Sequence, residues 1–318
     1  MKIIDAGYYI YPEVDSFGMI KRIEEVARVC YKSEDKITEG SAKKMVNALV
    51  KNKHWAMLEH GYAVIEADKV GYTAFTEVLK VVRKHEGEVP RIKYSPKGYS
   101  GRAIISGNMR AWLELLELCR VYYIPISRDL VQILKQEKYS PVFDDVNAPT
   151  TNRGTYKELE PSELNNKERL IHKYISVKFI VDRGVSHEIV RHRDSSFAQE
   201  STRYCNYGKA GDVVFIRPCY FDEGTLEMEN WEESCRASER DYLYLTLVRG
   251  KTPQEARGVL HTSLKTEVVM SATPKCWIHF GELRADGVTG APHPQIKEVA
   301  VPLMEELKGM DPVGFEKV

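Results

Sequence analysis

The residues with the most binding chemistry lie together in one segment, Arg191–Tyr204, which reads RHRDSSFAQESTRY. The segment contains three arginines, a histidine and several hydroxyl side chains. An arginine guanidinium stays charged at any working pH and presents a planar fork of donors that suits phosphate and carboxylate groups. Ser201 and Arg203 are two residues apart, so in an extended chain they lie on the same side and could hold one phosphate.

The elements before this segment predict a rigid support for it. Apolar residues alternate from Ile175 to Val181, which predicts a half-buried strand. Gly184 interrupts the alternation, and Ser186 followed by Glu188 predicts the cap and acidic first turn of a short helix that ends in the arginines. The cationic cluster is therefore expected at the end of a packed element.

The complete spacing, Arg-His-Arg, seven residues, Ser, then Thr-Arg-Tyr, resembles the signature of the flavin-dependent thymidylate synthases, the ThyX family. Four further segments resemble family elements in the same order along the chain, and they are Ala27–Tyr31, Lys53–His60, Glu255–Leu260 and Leu283–Asp286. The resemblance covers roughly residues 1–65 and 172–305.

The resemblance implies an α+β fold of the ThyX type, with a mixed sheet and packed helices. It also implies a single catalytic domain over residues 1–318, with an insertion at about 66–172. Apolar stripes at helical spacing predict that this insertion is mainly helical. The polar stretch from about Pro141 to Asn166 predicts an exposed loop within it.

The activity implied by the resemblance is the reductive methylation of dUMP to dTMP. Methylenetetrahydrofolate supplies the carbon, FAD carries the hydride, and NADPH reduces the flavin. Members of the family are homotetramers whose active sites are built from several subunits. The expected partners are therefore dUMP, folate, NADPH and further copies of this chain.

The resemblance also implies roles for individual residues. Ser201, Arg203 and Arg257 would hold the nucleotide dianion. Arg284, supported by Arg191 and Glu188, would stabilise charge that develops on the uracil ring, so the predicted catalytic residues are Arg284, Arg191 and Ser201. A preorganised cation aimed at developing charge is usually the largest catalytic contribution. The residues predicted to contact the flavin are His60, Arg191, His192, Arg193, Gln199 and His279.

The chain also departs from the family pattern at two places. Where many relatives have Asn-x-Arg, it reads Thr273-Pro274-Lys275, and proline has no backbone donor while lysine has no guanidinium fork. Ala198 replaces a side chain that is often polar. Two alternatives therefore stay open, a flavin-dependent C5 modification of a different uridine nucleotide, and a non-catalytic relative that binds a nucleotide or RNA.

Three other features of the sequence resemble motifs of different chemistry. His187 and His192 resemble a zinc-protease pair, but they are five residues apart rather than four, which turns the second histidine roughly 100° further around a helix. We therefore predict no metal. Cys219 follows a proline, as the nucleophile of classical thymidylate synthases does, yet one dipeptide is weak evidence and a small buried side chain is the expectation. Ser201 has no general base placed by sequence, so a Ser-His hydrolase is not favoured.

Composition bounds the class of protein. The 318 residues are 43% hydrophobic and 29% charged, which predicts a globular chain with a substantial core. The formal net charge of zero lacks the basic footprint of a nonspecific nucleic-acid binder. Because no run approaches the ~20 apolar residues that span a bilayer, no membrane association is expected. Six scattered cysteines without a CxxC pair, and no leader-like N-terminus, indicate reduced thiols in a cytoplasmic protein.

Overall fold

The structure is a computed structural model that describes residues 1–96, 102–209, 213–312 and 314–315. The strands are β1 Lys2–Ile4, β2 Gly7–Ile10, β3 Tyr62–Ala67, β4 Ile92–Ser95, β5 Ala103–Asn108, β6 Ile126–Ser127, β7 Thr150–Thr151, β8 Tyr156–Leu159, β9 Ile175–Asp182, β10 Ser196–Gln199, β11 Val214–Ile216 and β12 Lys265–Ala272. The α-helices are α1 Met19–Val29, α2 Ser41–Lys51, α3 Lys69–Glu86, α4 Met109–Val121, α5 Arg128–Leu134, α6 Asn166–His172, α7 Arg183–Ile189, α8 Leu226–Leu243, α9 Pro253–Ala256, α10 Pro274–Gly281 and α11 Pro294–Met310.

Short helices of other types connect several of these elements. The 3₁₀ helices are Ser16–Gly18, Glu34–Lys36, Trp55–His60, Glu137–Tyr139, Pro161–Glu163 and Arg257–Val259. Two segments, Tyr244–Val248 and Glu282–Asp286, are π-helical. Among the described residues, none of the helices combines the length and the apolar composition needed to cross a bilayer.

The chain divides into two compact units. The first comprises residues 1–11, 28–34 and 176–318, and the second comprises residues 12–27 and 35–175. Each unit contains both helices and strands, so the predicted α+β class is confirmed. The prediction of a single catalytic domain with an insertion stays a prediction, but the second unit includes residues on both sides of the expected boundary at 66.

The first unit is built on a four-stranded sheet in the order β10-β12-β9-β2. Strand β10 runs antiparallel to β12, with Gln199 opposite Val268, and β2 runs antiparallel to β9. The strand predicted from the alternation before the arginine cluster is confirmed as β9, and Val177, Phe179 and Val181 on it are fully buried. This buried face anchors the strand that leads into the cluster.

Helix α7 follows β9 directly, but its cap differs from the sequence prediction. The N-cap is Asp182, whose Oδ1 accepts a hydrogen bond from the Val185 amide at 2.9 Å. Ser186, the predicted cap, lies inside the helix and donates its hydroxyl hydrogen to the Arg183 carbonyl at 2.8 Å. The helix therefore begins one turn earlier than predicted, because the carboxylate at the strand end already satisfies the free amides of the first turn.

The second unit contains its own four-stranded antiparallel sheet, in the order β4-β5-β3-β8. Buried residues of the strands, such as Ile65 and Ile105, share one core with Phe75 of α3 and Trp112 of α4. Strand β8 lies within the stretch predicted to be an exposed loop, and that prediction is wrong there because Leu159 is buried. The helices predicted from the apolar stripes are confirmed as α3, α4 and α5.

Candidate active site

Glu188, His192 and Arg284 form a hydrogen-bonded cluster within the predicted site. Arg284 Nη1 donates to Glu188 Oε2 at 2.7 Å, and Nη2 donates to the Glu188 carbonyl at 3.2 Å. Arg284 Nε donates to His192 Nε2 at 3.2 Å. Three of the five N–H groups of this guanidinium are therefore used within the protein, which leaves two for a ligand.

Arg284 is positioned by an unusual backbone. It lies in the π-helical segment Glu282–Asp286, which continues from α10 and ends at Gly287 in the left-handed region (φ 72°). Single π-turns inside helices occur frequently at functional sites. The wider turn changes the direction in which Arg284 leaves the helix, compared with regular α-helical spacing.

His192 is buried and is held in its neutral form. Burial, together with the nearby positive charge of Arg284 and with His279, lowers the pKa of His192 to about 4. Its ring lies 4.9 Å from the ring of Phe280 and 6.2 Å from that of His279, measured between centroids. A neutral imidazole accepts the hydrogen bond from Arg284, so the two groups fit each other chemically.

Ser201, Arg203 and Arg257 meet on a second local surface. Arg257 Nη1 donates to Thr202 Oγ1 at 3.3 Å, and Arg203 Nε donates to Gln254 Oε1 at 3.2 Å. Ser201 Oγ accepts from the Arg203 amide at 3.3 Å, so its own hydrogen is available for a ligand. Both guanidinium groups keep further N–H donors, and the predicted role of the three residues in holding the nucleotide phosphate stays a prediction.

Short helical turns support the Gln254 and Arg257 side of this surface. A capping box begins α9, because the Thr252 amide donates to Glu255 Oε2 at 2.9 Å and both reciprocal bonds of the box are present. The helix is short, since α9 ends at Ala256 and a 3₁₀ turn follows. Arg257 lies in this 3₁₀ turn and is exposed.

Gln199 is fixed by a network whose hydrogen-bond directions follow from one another. Ser186 uses its own hydrogen on the Arg183 carbonyl, so its Oγ must accept from Gln199 Nε2, at 2.8 Å. Gln199 Nε2 also donates to Thr266 Oγ1 at 3.2 Å. No described residue bonds to the amide oxygen, Gln199 Oε1, which is therefore left as an acceptor for a ligand.

The other residues predicted to contact the flavin lie in different surroundings. Arg191 and Arg193 are exposed, and neither side chain forms a hydrogen bond or ion pair within the described part of the chain. His279 is exposed, and its Nδ1 lies 3.6 Å from Glu282 Oε2. His60 belongs to the second unit, where it ends the 3₁₀ helix Trp55–His60 and is buried. The roles of these four residues stay predictions.

The predicted residues thus fall into separate groups. No side-chain hydrogen bond among the described residues joins the Glu188, His192 and Arg284 cluster to the surface formed by Ser201, Arg203 and Arg257. Ser201 Oγ has no histidine within hydrogen-bond distance among those residues, as the Ser-His pair of a hydrolase would require. Its predicted roles in catalysis and in nucleotide binding stay predictions.

Cys219 corrects one expectation from the sequence. It was predicted to be a small buried side chain, but the structure places it in an exposed position. Partial burial and a hydrogen bond with the Glu298 carboxylate raise the pKa of its thiol. A thiol held protonated is a poor nucleophile.

Across the residues that the structure describes, no group of three potential metal ligands comes together.

Sequence reasoning missed the ion pairs beneath the signature. Glu200 is buried, and its Oε2 lies 3.0 Å from the Lys265 ammonium nitrogen. A signal for it was present in the sequence, because Ser196, Ala198 and Glu200 alternate with residues of the opposite face of the strand. All three of these residues are buried, so the acidic side chain points inwards with them.

Comparisons with known proteins indicate the same family that the signature resembles. The family model described as "Thymidylate synthase complementing protein" matches residues 137–313. A flavin-dependent thymidylate synthase of Corynebacterium glutamicum is 31% identical over 149 residues, which cover 42% of this chain and 57% of that protein. A flavin-dependent thymidylate synthase of Thermococcus kodakarensis is 27% identical over 176 residues, which cover 53% of this chain and 70% of that protein.

The alignment thus spans less than two thirds of the Corynebacterium glutamicum relative. Among solved structures, a UMP/dUMP methylase, PolB, from Streptomyces cacaoi bound with 5-Br dUMP aligns over 99% of this chain and 96% of that chain. Its TM-score is 0.43, at 13% sequence identity. Because the family model covers more than half of the 318 residues, the chain belongs to the thymidylate synthase complementing protein family, as its signature predicted.

Proposed function

We propose that this protein is a flavin-dependent thymidylate synthase that methylates dUMP to dTMP. The observation that carries the proposal is the contact between Arg284 and the signature, since Arg284 reaches both Glu188 and His192 across more than ninety residues of chain. Arg284 and His192 come from two of the segments that resemble the family, and Glu188 lies three residues before the signature. Their contact supports the assignment of both segments to one active site.

The nucleotide phosphate would be held by Ser201, Arg203 and Arg257. Arg203 and Arg257 are exposed, and each retains N–H groups beyond the one it donates to Gln254 or Thr202. Bidentate guanidinium contacts are the strong form of phosphate recognition. The Ser201 hydroxyl would add a neutral donor, since its oxygen already accepts from the Arg203 amide.

Arg284 would act on the uracil ring. Two of its N–H groups stay available after it has bonded to Glu188 and His192, and these contacts hold the guanidinium plane in one orientation. A donor fixed before the reaction stabilises negative charge on a ring oxygen or nitrogen without reorganising, which makes C5 more nucleophilic. Glu188 and His192 would position this cation, and Arg191 would add positive charge nearby.

The residues present also fit a flavin. Arg191 and Arg193 offer to a pyrophosphate guanidinium groups that have no partner in the described part of the chain, and Gln199 Oε1 offers an acceptor to an imino N–H of the ring system. His192, His279 and His60 are further candidates for contact. FAD, when bound, supplies the hydride that reduces the transferred carbon. The chain has no GxGxxG motif, so these residues would replace a Rossmann-type pocket.

Methylenetetrahydrofolate as carbon donor and NADPH as reductant complete the proposed reaction. We also propose a homotetramer with shared active sites. Within one chain the Arg284 cluster and the Arg203 surface have no connecting hydrogen bond among the described residues. A site assembled from several subunits would allow the two groups to act on one nucleotide.

The experiment is release of tritium from C5-labelled dUMP by purified protein supplied with FAD, methylenetetrahydrofolate and NADPH. We expect a yellow protein with the absorbance of oxidised flavin, and tritium release that requires all three additions. Flavin binding without tritium release from dUMP would contradict the thymidylate synthase assignment. Protein that binds dUMP but no flavin would instead support the non-catalytic nucleotide-binding alternative.

A parallel assay with C5-labelled UMP tests the other uridine nucleotide. The departures that motivated this alternative lie at Ala198, which is buried on β10, at Pro274, which begins α10, and at Lys275, which is exposed. Pro274 occupies the first helical position, where a missing amide hydrogen costs nothing. None of the three positions gives a reason to expect a preference for the ribonucleotide, so we expect faster tritium release from dUMP.

A further inference from the structure

Glu200 is the most completely buried charged group next to the proposed phosphate surface. Its side chain has no exposed area, and it immediately precedes Ser201. The Glu200 amide donates to the Glu267 carbonyl at 2.8 Å, which extends the pairing of β10 with β12 by one residue. The carboxylate is therefore fixed to the sheet at the point where the chain turns into the Ser201–Arg203 segment.

Three donors from different parts of the first unit converge on this carboxylate. Lys265 Nζ lies 3.0 Å from Oε2, the Tyr207 hydroxyl donates to Oε1 at 2.7 Å, and Lys32 Nζ lies 3.3 Å from Oε1. A buried carboxylate with this number of donors has its desolvation offset. Lys32 is one-third exposed, so solvent screens its contribution, while Lys265 and Tyr207 are buried.

The ammonium group of Lys265 is itself shared. It also bonds to Glu267, and Glu267 Oε2 lies 3.2 Å from Lys178 Nζ. Burial acts to lower the pKa of Lys265, but Glu200 and Glu267 outweigh burial and raise it. The network therefore keeps Lys265, the buried first residue of β12, positively charged beside Glu200.

The segment that follows Glu200 is held from the other side by the chain around Cys30. The Ser201 amide donates to the Cys30 carbonyl at 3.0 Å, and the Tyr204 ring lies 5.4 Å from the Tyr31 ring. Lys32, two residues after Cys30, has a left-handed backbone (φ 47°) that is uncommon for a residue with a side chain. Through its contact with Lys32, Glu200 therefore connects the end of β10 to the chain around Cys30, and these two segments flank Ser201 and Arg203.

We propose that Glu200 is a positioning residue for nucleotide binding, which acts through Lys265, Tyr207 and Lys32 to fix the Ser201–Arg203 segment. It does not touch the nucleotide. This inference rests on the proposed binding of dUMP by that segment. Without the carboxylate, the segment keeps its arginine but loses the tether that orders it, so binding must supply the ordering and becomes weaker.

The test compares Glu200→Gln with a matched control, Glu168→Gln. Glu168 is buried in the second unit and pairs with Arg102 at 2.6 Å, so its variant also loses a buried ion pair. The dissociation constant of dUMP is measured by calorimetry for wild type and both variants. We expect an increase of about tenfold or more for Glu200→Gln and less than about twofold for Glu168→Gln. An unchanged dUMP affinity in folded Glu200→Gln would overturn the proposal.

Two further measurements keep the inference separate from the proposed function. Hydrogen exchange of the peptide containing residues 201–205 is expected to accelerate in Glu200→Gln and to stay at the wild-type rate in Glu168→Gln. If wild type binds no dUMP, the proposed function fails, and unchanged exchange in this peptide would then refute the tether by itself. Turnover adds a further readout, because a positioning role raises KM for dUMP more than it lowers kcat.

If Glu200→Gln does not fold, Tyr207→Phe tests the same tether more gently. This change removes one donor to Glu200 and keeps the ring, which packs 5.8 Å from the Tyr242 ring. We expect the dUMP dissociation constant to rise about threefold or more, with faster exchange in residues 201–205. Wild-type affinity together with wild-type exchange in Tyr207→Phe would overturn the proposal.

Discussion

Replacing Arg284 with lysine tests the hydrogen-bonded cluster of Glu188, His192 and Arg284 in the proposed active site. The Arg284 guanidinium donates hydrogen bonds to three acceptors, which are Glu188 Oε2 at 2.7 Å, the Glu188 carbonyl at 3.2 Å and His192 Nε2 at 3.2 Å. One ammonium group on a flexible stem cannot satisfy all three, so two hydrogen bonds are lost. The loss lowers the free energy of unfolding by roughly 1–2 kcal/mol, because Glu188 is partly exposed and can be solvated again.

The effect of Arg284→Lys on chemistry is expected to be larger than its effect on stability. Removing one preorganised donor from developing charge costs roughly a hundredfold in kcat. Tritium release from C5-labelled dUMP under saturating substrates measures kcat, and thermal melting measures stability. The control is Arg217→Lys, since Arg217 also pairs with two carboxylates, Asp5 at 3.1 Å and Glu223 at 2.8 Å.

Arg217→Lys is expected to keep wild-type turnover, because Arg217 has no place in the proposed site. A folded Arg284→Lys protein with a kcat within about threefold of wild type would refute the assignment of Arg284 as the polarising cation. A parallel loss of turnover in both variants would show that the assay reports general stability.

Three further predictions concern binding, mechanism and pH. Arg203→Ala and Arg257→Ala are each expected to raise the dUMP dissociation constant about tenfold or more in calorimetry, and unchanged affinity in both would remove their role. Cys219→Ala is expected to leave tritium release within about twofold of wild type, because the Cys219 thiol is kept protonated, and abolished turnover would contradict the flavin route. Burial lowers the pKa of His172 from 6.5 to about 4 in the folded protein. Between these pH values the unfolded chain binds more protons than the folded protein does. The free energy of unfolding therefore falls by up to about 3 kcal/mol as the pH drops from about 6.5 to 4. His172→Gln is expected to weaken the dependence of the melting temperature on pH between about 6.5 and 4. An unchanged dependence would contradict the lowered pKa of His172.

Much of the fold that supports the site could be predicted from the sequence because it depends on local patterns. Alternation predicts β9, and apolar stripes predict α3 and α4. The spacing of the signature identifies the family without any structural information. These features are encoded within one segment at a time.

The features that could not be predicted depend on contacts between distant segments. The Glu200 and Lys265 pair joins residues 65 positions apart, and although alternation places Glu200 on a buried face, no local pattern identifies Lys265 as its partner. The π-helical turn that carries Arg284 has no sequence signal in the apolar pattern of α10. Strand β8 was missed because a single edge strand in a polar stretch shows too little alternation.

The most direct measurement is a crystal structure of the protein with FAD and dUMP bound. The account predicts guanidinium nitrogens of Arg203 and Arg257 within about 3 Å of phosphate oxygens and Arg284 at the edge of the uracil ring. It also predicts the flavin ring against the same uracil. A nucleotide bound elsewhere, with these three arginines turned away from it, would contradict the account.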